Sequence, residues 1–435
     1  MSERLSVLYV CQAPPSPPRY GAQVRMHGLI TAVAERHDVS VACCAEPDLA
    51  APARRAMRAY SREVEIVVER ASTSPVRKRL LQLRSLASAR TFERHLFTVP
   101  ELQRRIDALL SRRRFDVVNV EGPFVAHHRF RAAPRGAPPP RLVLDEHNVE
   151  FDLHRQIARG NGGLVRRFYS AVNWRKLQRE EYGLWERFDA ITVTSRHDEA
   201  RVRAARPAAR VAVVPNGVDV EHYRPRPGDP PPDRSTILFF GALDYHPNQD
   251  GILHFLDEVW PRLLRTHPSA RLRILGRRPP PALLARRGPA VEVGGFVEDL
   301  RPSIASAAAI VVPLRLGGGT RLKILEAMAM ARPVVSTALG AEGIEAAHGK
   351  ELLVADGPDR FAGEVARLLD DPALGARLGH AARALVETRY SWRASAMAVE
   401  RCFREVCAVA DARDRARVRA GYGAPAIVTS STVTE

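Results

Sequence analysis

Three glycines and a threonine, Gly317 to Thr320, stand between an apolar run ending at Leu314 and a helical stretch carrying Arg321, Lys323 and Glu326. Bare glycines let backbone N–H groups approach an anion, and a helix start adds the positive end of its dipole. Arg321 and Lys323 place full charges in the first turn, so the group suits a diphosphate. Glu326 lies three residues after Lys323 and projects on about the same side of the helix. There it can accept both hydroxyls of a ribose, as acidic residues do in dinucleotide sites, and the combination points to a nucleotide diphosphate. The loop is neither G-x-x-x-x-G-K-[ST] nor G-x-G-x-x-G. The same residues also fit a plain glycine turn followed by a Lys323–Glu326 surface pair.

Other chemistry-bearing residues sit at the ends of apolar runs. "RLVLDEH" ends in Asp145, Glu146 and His147, and "VVNVE" ends in Glu121, placed either to orient an acceptor hydroxyl or to cap the next helix. "QAPPSPPRYGAQVR" opens a helix at about Gly21. Asn216 and Gly217 in "VVPNGVD" tolerate the backbone of a sharp turn. Neither a D-x-D pair in a metal-binding context nor a dense His/Asp cluster is evident, so the expected metal set is none.

These residues need a scaffold in which strand ends converge. Short apolar runs alternate with helical stretches along the chain, the pattern of parallel α/β sheets covered on both faces. The first half contains "LSVLYVC", "DVSVACC", "EVEIVV", "DVVNV", "RLVLDEH", "DAITVTS" and "RVAVVPN". The second half contains "STILFFG", "ARLRILG", "VEVGGF", "AAIVVPL", "RPVVST" and "KELLVAD". Open sheets of this kind bind ligands beyond the carboxyl ends of their strands. The proline-rich stretch 223–236 supports neither helix nor central strand and marks a linker. The chain therefore divides into a first domain over 1–222, a second over 237–390, a helix over 391–413 with no strand to follow, and a disordered tail over 414–435.

At 435 residues the chain fits two domains with a cleft between them. A formal net charge of +17 points to an anionic partner. Aromatics are few and not interleaved with the basic residues, which argues against single-stranded nucleic acid. No apolar run approaches a membrane span and the start lacks a signal-peptide pattern, so a cytoplasmic protein is expected. The five cysteines have neither disulfide-framework nor zinc spacing and read as reduced thiols. Residues 76–97 form one amphipathic helical pattern, with Leu80, Leu83, Leu86 and Ala87 in a stripe opposite Arg77, Lys78, Arg84 and Arg94. Such a helix either packs on a core or lies peripherally on an anionic membrane surface.

Taken with "PNGVDVEHYRP" and "VEVGGFVEDLRPSIASAAAIVVPL", the glycine stretch resembles family 4 of the retaining glycosyltransferases, most closely the branch of bacterial envelope and exopolysaccharide assembly. The resemblance covers the chain to about residue 410. It implies the GT-B fold, two Rossmann-like doubly wound domains facing a cleft, with a C-terminal crossover helix returning to the first domain. It implies transfer from a UDP- or GDP-linked sugar to a glycan, lipid-linked or small-molecule acceptor, without a cofactor and with no nucleic-acid partner. By resemblance, Glu326 holds the donor ribose and His147 meets the donor sugar near the reacting carbon. Gly21 lies against the phosphates and Arg25 faces the cleft one turn later. The backbone at Gly295 and Phe296 meets the base.

The chain also departs from the family pattern. A first glutamate common in relatives falls at Gly318, so sugar contacts there must come from amides of Gly318, Gly319 and Thr320. The Arg and Lys that often follow the first strand of the second domain are missing, leaving Arg321 and Lys323 for the diphosphate. Two other activities fit the same resemblance: a donor-binding protein without turnover, and a nucleotide-sugar epimerase.

Overall fold

The computed structural model describes residues 3–69, 75–159, 164–317 and 319–419. All thirteen strand expectations are met. The first sheet holds β1 (Ser6–Cys11), β2 (Asp38–Ala45), β3 (Glu63–Val68), β4 (Val117–Glu121), β5 (Arg141–Glu146), β6 (Ala190–Val193) and β7 (Val211–Val213). The second holds β8 (Asp233–Phe240), β9 (Arg271–Leu275), β10 (Val291–Val293), β11 (Ala307–Val312), β12 (Val334–Ser336) and β13 (Leu353–Val354). Every pairing between these strands is parallel. The strand orders are β3-β2-β1-β4-β5-β6-β7 and β10-β9-β8-β11-β12-β13. Each order reverses once, between β1 and β4 and between β8 and β11, and those switch points are where doubly wound sheets leave a crevice.

The central strands are apolar on both faces because helices cover both. In β1, Val7, Tyr9 and Cys11 enter one core and Leu8 and Val10 the other, as a period of two requires. In β8, Ile237 and Phe239 separate in the same way from Leu238 and Phe240. Cys11, Cys43 and Cys402 are buried, and all five cysteines are free thiols.

The helices that frame the crevices are α1 (Gly21–Ala34), α2 (Pro75–Leu86), α3 (Phe92–Phe97), α4 (Glu150–Arg159), α5 (Leu164–Arg187), α6 (Arg196–Ala205), α7 (Leu322–Ala329), α8 (Pro372–Arg389) and α9 (Trp392–Arg419). The last is the crossover helix. Ala396, Val399, Cys402, Phe403 and Val406 join the first-sheet core beside Met26, Leu29 and Ile30 of α1. It runs to Arg419, past the boundary placed at 413, and residues 420–435 of the expected tail lie outside the described residues. Strand β8 likewise begins at Asp233, inside the stretch read as linker.

The chain crosses back at Ser391, which bridges Val218, and the Val218 N–H donates to the Tyr390 carbonyl at 2.7 Å. Trp392 then wedges against Gly28 and Gly217, where an added Cβ would come within 2.2 and 2.7 Å of its ring. Arg383 of α8 ties the linker to α7 by donating to the carbonyls of Val220, Tyr223 and Ala329.

The single helix expected over 76–97 is two. Thr91 begins a new helix because its side chain accepts from the Arg94 N–H at 3.0 Å, while its own N–H and hydroxyl donate to Glu180. The stripe does not enter a core either: Val76, Leu80, Leu83 and Leu86 are 68%, 61%, 63% and 45% exposed. Among the described residues no helix is long and apolar enough to cross a membrane.

Candidate active site

Strand β11 delivers the chain to the second switch point, and the glycine turn follows. Gly317 has φ +119° and Gly319 φ +73°, conformations that favour glycine. Gly318, expected to supply an amide here, lies outside the described residues. A Cβ on Gly317 would approach the Arg321 guanidinium to 3.1 Å, so that side chain packs beneath the turn. Arg321 precedes the helix rather than occupying its first turn, since α7 begins at Leu322. Burial lowers its pKa, and Tyr245, Glu342 and Asp198 favour its charge.

Lys323 reaches back toward the end of β8. Its ammonium donates to Asn248 Oδ1 at 2.9 Å, sits 4.4 Å from the centre of the Phe239 ring, and would lie 2.9 Å from a Cβ on Gly241. Burial, helped by Arg321, lowers its pKa to about 7. Glu326 is pushed up to about 7 by burial, against the pull of Lys323 and of a hydrogen bond from Tyr223. The simple Lys323–Glu326 surface pair is therefore not formed. One partner turns to Asn248 and the other to Tyr223 because each is withdrawn from water and needs a hydrogen bond.

The first-domain half is built around Asp145 at the end of β5. Arg25 donates to both its oxygens, at 2.9 and 2.8 Å, and also to Asn216 Oδ1 at 3.0 Å. Thr192 adds a third donor to Asp145 at 2.6 Å. Burial opposes both charges, yet their mutual attraction holds Arg25 above its usual pKa and Asp145 below. Arg25 was expected to face the cleft as a donor-binding cation. It is instead 1% exposed and committed to Asp145, because a lone buried carboxylate needs a counter-charge.

Glu121, expected on the acceptor side, is fully buried. It accepts from Asn119 at 2.8 Å and pairs with His147 Nε2 at 2.8 Å. Its carboxylate serves the histidine rather than a hydroxyl in the cleft. His147 Nε2 is also 3.4 Å from Asp145, and although burial disfavours its charge, the Glu121 bond and both carboxylates raise its pKa. Glu121, Asp145 and His147 have the spacing of a metal-ligand group. In the structure Arg25 hydrogen-bonds both Asp145 oxygens of this group. Glu146 points away from this group, accepting from Trp185 Nε1 at 2.8 Å, with burial pushing its pKa up to about 8.

The two halves meet closely. A Cβ on Gly21, the first residue of α1, would be 3.8 Å from Leu322, the first residue of α7, so two helix N-termini face each other across the cleft. A Cβ on Gly319 would strike Asn148 Oδ1 at 2.2 Å and stand 3.3 Å from the His147 carbonyl. Thr320 is buried, donates to the Thr194 carbonyl at 3.4 Å, and accepts from Asn216 Nδ2 at 3.1 Å. The glycine turn is thus also a contact between the domains, and Thr320 spends its hydroxyl there.

Gly295 and Phe296 stand apart. They follow the edge strand β10, three strand spacings or about 14 Å from β11. Phe296 is 75% exposed, and the Gly295 carbonyl accepts from the Gly276 N–H at 3.1 Å. Sequence reasoning missed Asn248, Tyr223 and Arg277. Arg277 ion-pairs with Asp244 at 3.4 Å, and its charge acts on Tyr20 across the cleft. Its signal was available: two arginines follow "RILG" at the carboxyl end of a central strand.

Two family models match the chain, "Glycosyltransferase Family 4" over residues 20–222 and "Glycosyl transferases group 1" over residues 234–371. Glycogen synthase of Mycobacterium tuberculosis is 29% identical over 305 residues, spanning 66% of this chain and 68% of the relative. A GDP-mannose-dependent alpha-(1-6)-phosphatidylinositol monomannoside mannosyltransferase of the same organism is 30% identical over 229 residues, 47% of this chain and 58% of the relative. Among solved structures, sucrose-phosphate synthase from Thermosynechococcus elongatus superposes with a TM-score of 0.66 at 17% identity, covering 93% of this chain and 100% of the other. Anabaena HepE, solved in complex with UDP and glucose, gives 0.62 at 14% identity, covering 92% and 99%.

Proposed function

The chain belongs to family 4 of the glycosyltransferases, with the GT-B fold, and from that premise we propose that it moves a sugar from a UDP- or GDP-linked donor with retention at the anomeric carbon. One observation carries the donor assignment. The Lys323 ammonium lies between the carboxyl end of β8 and the glycine turn after β11, at the switch point of the second sheet. In this reading Lys323, Arg321 and the start of α7 supply positive charge at that switch point. Charge placed there stabilises a departing diphosphate, the main electrostatic demand of sugar transfer.

In this reading Glu326 accepts from the ribose hydroxyls, and the loop at Gly295 and Phe296 meets the base at the far side of the sheet. His147, held by Glu121, presents its ring to the donor sugar. Arg25 acts one step further back by fixing Asp145. The leaving phosphate oxygen takes the acceptor proton on the same face, so no strong protein base is required and the positive charge comes from the chain itself. Retention is supported by family membership alone.

A lipid-linked acceptor is the favoured class. Its support is α2, whose exposed Leu80, Leu83 and Leu86 adjoin Arg77, Lys78, Arg79 and Arg84. Basic residues near an anionic leaflet contribute about 1 kcal/mol each, and replacing those four by glutamine should abolish flotation with anionic liposomes.

The donor is tested by a thermal-shift screen against UDP, GDP, dTDP and their sugars, because a ligand that binds only the folded state raises its stability. One base should stand out, and the matching sugar nucleotide should yield an α-linked product from an α-linked donor by NMR. Equal, negligible shifts across the whole panel would remove the assignment.

A further inference from the structure

A cavity of about 380 Å3 opens on the face of the second domain opposite the cleft, at the amino ends of β8, β11 and β12. It lies within the range of about 300–1,000 Å3 typical of small-molecule sites. Pro225, Pro333, Leu368 and Leu369 form apolar wall, and Arg234, Arg332 and His380 line the same space from three separate elements.

These three side chains face one cavity. Many arginines elsewhere are held by carboxylates, such as Arg25 by Asp145, Arg262 by Asp359 and Arg315 by Asp250. Among the described residues neither Arg234, Arg332 nor His380 forms an ion pair. Arg332 makes one long hydrogen bond, 3.5 Å to the Met330 carbonyl, and burial lowers its pKa while Asp229 favours its charge. Two guanidinium groups without an ion pair, beside a histidine and arranged round an apolar pocket, complement a compact dianion carrying an apolar body.

The backbone beside the cavity adds a second observation. Ala331 adopts φ +53°, a left-handed conformation that costs a non-glycine residue energy. It ends the turn that leads from α7 into β12, with its carbonyl pressed against Gly379 of α8, where a Cβ would come within 2.1 Å. That strained turn aims Arg332 at the cavity, and it terminates the helix whose other end carries Lys323.

We propose that this cavity is a binding site for a small organic phosphomonoester, separate from the donor site. The arginines engage the phosphate in the forked geometry that guanidinium groups favour, and the proline and leucine walls receive the organic body. The ligand then touches both the linker, at Pro225 and Pro232, and the far end of α7. It is placed to affect both domain closure and the donor helix.

The test uses the full-length protein and phenyl phosphate in isothermal titration calorimetry, with UDP and GDP both present in excess to fill any donor site. One saturable site is expected, with phenol showing no binding and inorganic phosphate binding at least ten-fold more weakly. Arg332→Gln and Arg234→Glu should each weaken phenyl phosphate at least ten-fold. Arg234 is exposed at the start of a strand, so its variant reads the site even if the Arg332 variant does not fold. Binding that disappears when the nucleotides are added, or that is unchanged in Arg234→Glu, overturns the proposal. Absence of any saturable binding does so too. Because the assay needs neither donor turnover nor a known nucleotide, its outcome is independent of the proposed sugar transfer.

Discussion

Lys323 and Arg25 show how the same kind of side chain takes different work from its surroundings. Both are basic residues near a helix start and both are withdrawn from water. Arg25 has a carboxylate against it and stays charged, whereas Lys323 has an amide oxygen and an aromatic face, and its pKa falls to about 7. A diphosphate arriving at Lys323 favours the ammonium and raises that pKa. Binding therefore takes up a proton above pH 7, and donor affinity should fall as pH rises from about 7 toward 9. Lys323→Met should bind the nucleotide sugar about 10- to 100-fold more weakly at pH 6.5, the value of one charge-assisted contact, and should lack the alkaline decline. Calorimetry in buffers of different ionisation enthalpy reads both effects. Arg25→Met should instead act on the fold. It leaves Asp145 buried without its cation, a loss of about 3–5 kcal/mol, measurable as a lower denaturation midpoint, and restoring positive charge with lysine should recover only part of it.

Elements explain why glycines occur where the chemistry does not require them. Gly28 sits inside α1, where glycine costs about 1 kcal/mol relative to alanine, yet the Trp392 ring occupies the space a side chain would fill. The crossover helix seats itself on the first domain through that contact and through Phe403 in the core. Gly28→Ala should destabilise the protein by about 1–3 kcal/mol despite the better helix former, as overpacking does. Limited proteolysis should then cut earlier near residue 391. An unchanged or higher melting temperature would show that Trp392 moves aside at no cost. In the sequence Gly28 was one small residue in a helical run, because its partner lies far along the chain and no periodicity connects the two.

Across the whole molecule, the glycine turn joins the domains as well as lying at the proposed donor site. Gly319 rests on His147 and Asn148, Thr320 on Thr194 and Asn216, and the exposed pairs Arg196–Glu345 and His197–Glu342 lie further along the same seam. Exposed pairs of this kind contribute about 0–1 kcal/mol, so the buried contacts dominate the closed arrangement. Gly319→Ala adds a Cβ at φ +73° against Asn148 and should favour an open form. A larger radius of gyration in solution scattering is expected, with sugar transfer slowed more than donor binding is weakened. A variant as compact as the parent and equally active would show that the turn tolerates a side chain.

The order of the strands along the chain, their two-domain grouping and the residues at their carboxyl ends were legible in the sequence, because apolar periodicity and strand-end position are local properties. The glycine turn, Lys323, Glu326 and His147 were proposed from such positions together with the family resemblance. Which partner each would find was not legible. Arg25 turned inward to Asp145, Glu121 turned to His147, Glu326 found Tyr223 from the linker, and the stripe on α2 stayed outside every core. Burial and counter-charge decide those outcomes, and both depend on groups brought together from distant parts of the chain, so only the tertiary structure could assign them.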